Sequence, residues 1–413
     1  PQNGLWTIEG CDHDGQLSHG HLPQQDTLAS MPTLELQWLQ PDGRAGGRAD
    51  DGTTVHMAGA IPGDVVRYSI IKGRGRTLEG SIDELIEPSP HRRDPPCPWD
   101  ATCGGCDLAA MIPEARRDAL AAVAGRALGV PQPEFVASPR QTAHRARIDL
   151  SIVDGRVGYW QSRSDTLVEP GHCGIARPEV QAALDKLRGA DLKGFSRVEI
   201  RSDGSRAVFS FTGGSRDAAL EVLDDVAIDG KPVRGNPTLD LHVQGVPLQA
   251  SPLSFYQVNL EVNALLVADV VAAAAGHERV LDLYAGIGNL SLPIADNGIA
   301  VVAVDLEGQA IADLRRRAGS RPVEAVVGDV GRFDTSRVAF DCAILDPPRA
   351  GARGVLGRIA INRPQTIIYV SCNARSAARD LRDLKGYRVA SVRCFEMFPD
   401  THHFETLIVL KRT

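Results

Sequence analysis

From Val280 onward, apolar and polar positions alternate on a long period. "RVLDLY", "IAVVAVD", "VEAVVGD", "FDCAILD" and "TIIYVSC" are nearly unbroken apolar runs, the pattern of parallel strands covered on both faces. Between them "LSLPIA", "AIADLRRRA", "GVLGRIA" and "SAARDLRDL" carry helical spacing. Strand and helix in alternation predict a doubly wound α/β sheet over 246–413, with ligands along the carboxyl ends of its strands. Residues 31–90 read differently. "TLELQWL", "TTVHMAG", "DVVRYSII" and "TLEGSIDELIE" are short strands punctuated by glycine, with "AIPGD" as a turn, and predict a small antiparallel β-barrel. "PSPHRRDPPCP" reads as a stiff linker. Residues 91–245 mix a helix after Cys106 with strands such as "RARIDLSIV" and "RVEIRS", an α+β domain. Residues 1–30 carry acids and histidines without apolar patterning and read as a disordered or non-native leader, with Met31 as a natural start.

Composition changes the picture little. At 413 residues the chain is long enough for two or three domains, and its 43% hydrophobic and 23% charged content describe a globular protein. No apolar stretch has the length of a membrane span. The net charge of −7 announces no nucleic-acid partner, yet "IKGRGR", "HRR" and "RQTAHRAR" are basic clusters suited to phosphates. Solvated loop charge explains each cluster equally well. Without a secretion signal the expected compartment is the cytoplasm, where cysteines stay reduced.

Candidate chemistry gathers at the strand ends. "VLDLYAGIGNLSLPIA" is strand, glycine loop and helix start, in which Gly286 and Gly288 let a ligand approach the backbone. The third glycine of a dinucleotide fingerprint is replaced by Ser291, so the loop alone leaves a NAD site open. Asp305 ends the next apolar run, where it can accept from ribose hydroxyls, and Asp329 closes the third, near an adenine. Polar groups on three successive strand ends fit an adenosine ligand better than a pyrophosphate; acidic helix caps are the bland alternative.

"LDLYAGIGNLSLPIA", "LDPPRAG", "YVSCNARSAARDL" and "MFPDTHHFETLIVLKR", in that order and preceded by "SPLSFYQVN", resemble the uracil-5-methyltransferases of RNA, over about Thr33 to Thr413. The resemblance implies S-adenosylmethionine as methyl donor and a Rossmann-like methyltransferase domain. It implies Cys372 as nucleophile, Glu405 as proton acceptor, and Asp346 in contact with cofactor or uracil. Cofactor contacts fall by the same resemblance on Gln257, Tyr284, Asn289, Asp305, Asp329 and Asp346, and Phe255 stacks near the reacting base. The family usually has glutamate where this chain has Asp305.

The residue types suit this chemistry. Carbon 5 of uracil is a poor nucleophile; a thiolate added to carbon 6 turns the ring into an enolate, and a base must later remove the carbon 5 proton. Cys372 follows a strand and precedes a helix, where backbone N–H groups are expected to lower a thiol's pKa. Cys342 and Cys394, inside apolar runs, read as buried hydrophobes. His402 and His403 lack further spaced ligands and read as local packing rather than metal ligands.

Cys97, Cys103 and Cys106, spaced C-x5-C-x2-C, with Cys173 far downstream, fit paired zinc spacing poorly and suit a 4Fe–4S cluster, which many family members hold with this spacing. The N-terminal barrel resembles a TRAM domain, in which Lys72, Arg74 and Arg76 would meet RNA phosphates. The expected partner is RNA, ribosomal large-subunit RNA before transfer RNA, with no obligate protein partner. A non-catalytic iron–sulfur RNA-binding protein, or methylation of cytosine or an amino group, are the rival readings.

Overall fold

The computed structural model describes residues 31–413 apart from 101, 163, 189, 215–221 and 383, so the leader expectation and Cys11 lie outside the described residues. The chain forms two compact units, with Pro90 and His91 on either side of the main boundary.

The N-terminal unit is a six-stranded sheet in the order β1-β5-β6-β4-β3-β2, consistent with a barrel. Its strands are β1 Thr33–Glu35, β2 Trp38–Leu39, β3 Ala45–Arg48, β4 Thr54–Met57, β5 Val65–Arg74 and β6 Thr77–Glu87. Alternate residues Val55, Met57, Val66 and Tyr68 turn inward with Leu34 and Leu36. The "AIPGD" turn is fixed by Asp64, whose carboxylate accepts the N–H of Ile61 at 2.8 Å and of Ser89 at 3.0 Å. One pairing departs from the antiparallel expectation: β4 lies parallel to β6, because the intervening β5 returns the chain before β6 is laid down.

In the larger unit, α1 (Pro113–Leu128) begins with proline and ends on Gly129 at φ 67°. β7 (Glu134–Val136) follows. A seven-stranded sheet holds β8 Arg147–Val153, β9 Arg156–Trp160, β10 Leu167–Val168, β11 Phe195–Ser202, β12 Ala207–Gly213, β13 Val226–Ile228 and β14 Lys231–Arg234. Its inner face, with Ile148, Leu150, Ile200 and Phe211, packs on Val180, Leu184 and Leu187 of α2 (Pro178–Leu187). The hairpin β15 (Leu239–Val243) and β16 (Val246–Ala250) precedes α3 (Leu260–Ala274).

The remaining elements are β17 Arg279–Leu283, α4 Ser291–Asp296, β18 Ala300–Asp305, α5 Gly308–Ala318, β19 Val323–Val327, β20 Cys342–Leu345, α6 Val355–Ile361, β21 Thr366–Ser371, α7 Ala374–Leu381, β22 Tyr387–Phe395 and β23 Glu405–Arg412. The sheet order is β19-β18-β17-β20-β21-β23-β22-β7. Strands β17 to β21 are mutually parallel, whereas β23 runs antiparallel to β21 and inserts between it and β22. The runs of β17, β18, β20 and β21 are covered on both faces: Val280 joins the side packed with Leu266 and Val270 of α3, and Leu281 and Leu283 join Val355, Leu356 and Ile359 of α6. By contrast β19, at the sheet's edge, is half-exposed, with Glu324 and Val327 open to solvent. The antiparallel course of β23 brings its first residue, Glu405, to the edge where the parallel strands end.

A buried ion network ties α1 to the β22–β23 connection. Arg116, fully buried, donates to Asp400 at 2.5 Å, to Glu396 at 2.9 Å and to the Gln141 amide oxygen at 2.8 Å. Removing the guanidinium would leave the buried Asp400 with Arg93 alone and the buried Glu396 with only the longer ion pair to Arg117 at 3.4 Å. Arg116→Met is therefore expected to cost about 3–5 kcal/mol of stability, read by chemical denaturation; a loss below about 1 kcal/mol would show that the network contributes little.

Candidate active site

The β17 strand end is built to hold a loop open. Tyr284, at φ 65°, and Ala285 both donate their N–H groups to the Val304 carbonyl at 2.9 and 3.1 Å, folding the chain across the end of β18. Gly286 donates its N–H to Asp305 Oδ2 at 2.8 Å, and Glu307 donates to Oδ1 at 2.8 Å. Asp305 therefore braces the glycine loop. The two glycines serve different ends. At Gly288 (φ 87°) a Cβ would lie 2.9 Å from Leu314 and 3.0 Å from Leu292, so close helix packing demands glycine. At Gly286 (φ 54°) a Cβ would meet nothing within 4 Å, which is the open cradle an adenosine-type ligand needs.

Gln257 is buried, and Asn289 exchanges amide hydrogen bonds with Asn263 at 2.8 and 2.9 Å. Asp329, just beyond β19, accepts the N–H of Gly331 at 2.8 Å. Beneath the loop lies Asp282, whose Oδ2 accepts from the Ser291 hydroxyl at 2.5 Å while Oδ1 has no partner; burial pushes its carboxyl up to about 7.

Cys372, Asp346 and Glu405 meet at the same edge. Register brings them to one end of the sheet: Leu283 pairs with Leu345, Leu345 with Tyr369, and Ser371 with Thr406. Asp346 follows Leu345, Cys372 follows Ser371 and Glu405 precedes Thr406, and both carboxyls are near enough to act on the thiol. Glu405 is buried and its Oε2 has no partner, so burial and the neighbouring Asp346 carboxylate hold its carboxyl well above the usual range. Burial likewise raises Asp346 to about 7.

The thiol reverses the expectation that a helix start lowers its pKa. Burial, then Glu405 and Asp346, push Cys372 up to about 12, with Arg349 only partly opposing them. The first turn of α7 offers little help because the Asn373 side chain accepts the N–H groups of Arg375 and Ser376, at 3.1 and 3.3 Å. The ligand-free thiol is therefore neutral at pH 7. Its alkylation by iodoacetamide, followed by mass spectrometry, is expected to accelerate about tenfold per pH unit between pH 7 and 10; a rate already level above pH 8 would contradict this.

Phe255 is 57% exposed, with the Arg147 guanidinium 4.6 Å from its ring centre. Sequence reasoning missed what holds its loop. The buried Arg201 donates to the carbonyls of Ser251, Pro252 and Ser254 at 2.8, 2.5 and 2.5 Å, and Asp313 accepts both serine hydroxyls at 2.7 and 2.6 Å. Arginine at the end of an otherwise alternating strand, "RVEIRS", was the available signal.

Cys97, Cys103, Cys106 and Cys173 line one cavity together with Trp99, Arg145 and Tyr159. Among the described residues no group of three or more His, Cys, Asp or Glu is placed to hold a single metal ion. Burial pushes Cys106 up to about 12 and raises Cys103, and the thiols of Cys173 and Cys97 raise Cys103 further. Cys342 and Cys394 are core residues with no exposure. His402 binds Asp107, and His403 packs against Phe398. In the N-terminal unit Lys72, Arg74 and Arg76 are solvent-exposed around the β5–β6 turn, with Lys72 3.5 Å from Glu79. No helix among the described residues is long and apolar enough to cross a membrane.

Comparison with known proteins gives the family. The tRNA (uracil-5-)-methyltransferase family profile matches residues 329–413, which include Asp346, Cys372 and Glu405. The 23S rRNA (uracil(1939)-C(5))-methyltransferase RlmD of Pectobacterium atrosepticum is 31% identical, covering 91% of this chain and 92% of its own length. RlmD of Chromohalobacter salexigens is also 31% identical, covering 93% and 90%. The crystal structure of Pyrococcus abyssi tRNA (uracil-54, C5)-methyltransferase in complex with S-adenosyl-L-homocysteine shares the fold, with a TM-score of 0.76 at 24% identity over 92% of this chain and 100% of its own. The chain belongs to the S-adenosylmethionine-dependent RNA (uracil-5-)-methyltransferases.

Proposed function

We propose that this chain methylates carbon 5 of a uridine in 23S rRNA through a covalent bond between Cys372 and carbon 6 of the base. The observation that carries the reading is the meeting of one thiol and two carboxyls, Cys372, Asp346 and Glu405, at one strand edge. Bound S-adenosylmethionine supplies an electrophilic methyl group; the residues to hold it are Gln257, Tyr284, Gly286, Gly288, Asn289, Asp305, Asp329 and Asp346. Beside a cationic ligand the same thiol and carboxyls ionise more readily than in the free site, since opposite charge offsets desolvation.

The Cys372 thiolate adds to carbon 6, and the ring electrons move toward carbon 5 and the carbonyl oxygen. After carbon 5 has gained its methyl group, Glu405 takes the remaining carbon 5 proton. That C–H electron pair forms the carbon 5–carbon 6 double bond, the S–C bond breaks, and the thiolate is restored. Asp346, raised to about 7, is positioned to donate or accept near neutral pH. Phe255 offers an exposed ring face on which a uridine flipped from its stack can lie.

Cys97, Cys103, Cys106 and Cys173 are the residues to hold a 4Fe–4S cluster, which would have a structural role because methyl transfer through an adduct needs no electron. The segment 31–90 acts as a TRAM-like RNA-binding module through Lys72, Arg74 and Arg76, the segment 91–245 as the cluster domain and 246–413 as the methyltransferase. Ribosomal RNA is favoured by the RlmD relatives and carries a cytoplasmic location with it; transfer RNA is the second reading, from the family profile.

The test is transfer of labelled methyl to 23S rRNA and to tRNA from a deletion strain, followed by nucleoside analysis. 5-Methyluridine in 23S rRNA is expected. Label in 5-methylcytidine or an N-methyl nucleoside would overturn the reaction, and label in tRNA alone would overturn the target.

A further inference from the structure

Glu405 ends a loop whose conformation is set by residues far away in sequence. The Leu108 N–H donates to the Asp400 carbonyl at 2.9 Å. The Asp107 carboxylate accepts the His402 N–H at 3.1 Å and faces His402 Nδ1 at 2.5 Å. Asp400 is held at φ 65°, a conformation unusual for a residue with a side chain, and its carboxylate receives both Arg93 and Arg116 at 2.5 Å. Arg116 continues to Glu396 at 2.9 Å, and the second Glu396 oxygen accepts the Ser138 N–H at 2.9 Å and the Gln141 amide at 2.8 Å. The loop is thus clamped at residues 396, 400 and 402, immediately before Glu405. Asp400 also shares the wall of the cavity formed by the four cysteines. Glu405 is itself paired with Phe395 at the start of β23, so the clamp fixes the chain that leads into this pair; Cys372 and Asp346 instead follow β21 and β20, whose parallel ladder does not include this loop.

We propose that Asp107 and Arg116 are positioning residues for Glu405, required for removal of the carbon 5 proton and not for formation of the methylated adduct. The proposal rests on the reading of Glu405 as proton acceptor. With the clamp loosened, the thiolate still adds and carbon 5 still gains its methyl group. The carbon 5 proton then stays in place, the C–H pair cannot form the ring double bond, and the S–C bond persists.

Asp107 is the variant of choice because its side chain is 37% exposed, so its loss leaves no buried charge unpaired. Asp107→Ala and Asp107→Asn are compared with wild type as full-length enzymes on target RNA carrying tritium at uridine carbon 5, with donor labelled in the methyl group. In a single turnover, total methyl label in RNA, free plus bound in the denaturation-stable adduct, reports transfer; tritium released to water reports proton removal. For Asp107→Ala we expect total methyl transfer near the wild-type rate, now retained in the adduct, with tritium release lowered about 10- to 100-fold, the cost of small misplacement of a reacting group. Asp107→Asn, which retains an acceptor for the His402 N–H, should recover part of the release. Wild-type tritium release by Asp107→Ala, or equal loss of both signals in both variants, overturns the proposal. Glu405→Gln run in parallel separates the two ideas: normal release there removes Glu405 as acceptor, whereas stalled Glu405→Gln with normal Asp107→Ala removes only the clamp.

Discussion

Cys372→Ala is expected to lower methyl transfer by about 10^4-fold or more, with no covalent protein–RNA species at any time. The size follows from the chemistry. Without a sulfur on carbon 6 the ring never becomes an enolate, and carbon 5 lacks the electron density to attack an alkyl group. Cofactor and RNA binding should survive, since Gly286, Asp305 and Phe255 are untouched, and fold should survive because a half-buried thiol is replaced by a smaller apolar group. Timed methyl incorporation into rRNA, with binding measured alongside, checks this. A residual rate within tenfold of wild type would exclude Cys372 as the nucleophile.

Glu405→Gln should have the second-largest effect and a different signature. General bases contribute about 10^2- to 10^4-fold, so turnover should fall by that range. Addition and methyl transfer precede the lost step, and a methylated adduct should accumulate as a slow-migrating band under denaturing conditions. The substitution also removes one of the two carboxyls that raise the Cys372 thiol. Alkylation of that thiol at pH 9 should therefore be faster in the variant than in wild type. A variant that turns over normally, or shows no adduct while inactive, would remove Glu405 from the role.

Much of the catalytic fold was legible because local physics dictates it. A strand buried on both faces must be apolar throughout, so β17, β18, β20 and β21 announce themselves, and the helices between them carry the complementary period. Gly286 and Gly288 were visible because few other residues tolerate those backbone angles. What was not legible depends on distance along the chain. The insertion of β23 between β21 and β22 is a pairing choice without a periodic signature, although it delivers Glu405 to Cys372. The parallel pairing of β4 with β6 is of the same kind.

The thiol's environment was misjudged for a related reason. The helix start beside Cys372 is visible in sequence, but the capping of Arg375 and Ser376 by Asn373, and the two carboxyls brought in by other strands, are tertiary facts. Likewise no spacing rule connects Asp107 with His402 or Arg116 with Asp400.

The most direct test of the covalent mechanism uses wild-type enzyme and target RNA in which the uridine bears fluorine at carbon 5. Fluorine cannot leave as a proton, so after methyl transfer the S–C bond has no route to break. Digestion of the trapped complex and mass spectrometry should find one methylated fluorouridine on the peptide containing Cys372. Attachment to any other residue, or continued release of free methylated RNA with no trapped protein, would contradict the account.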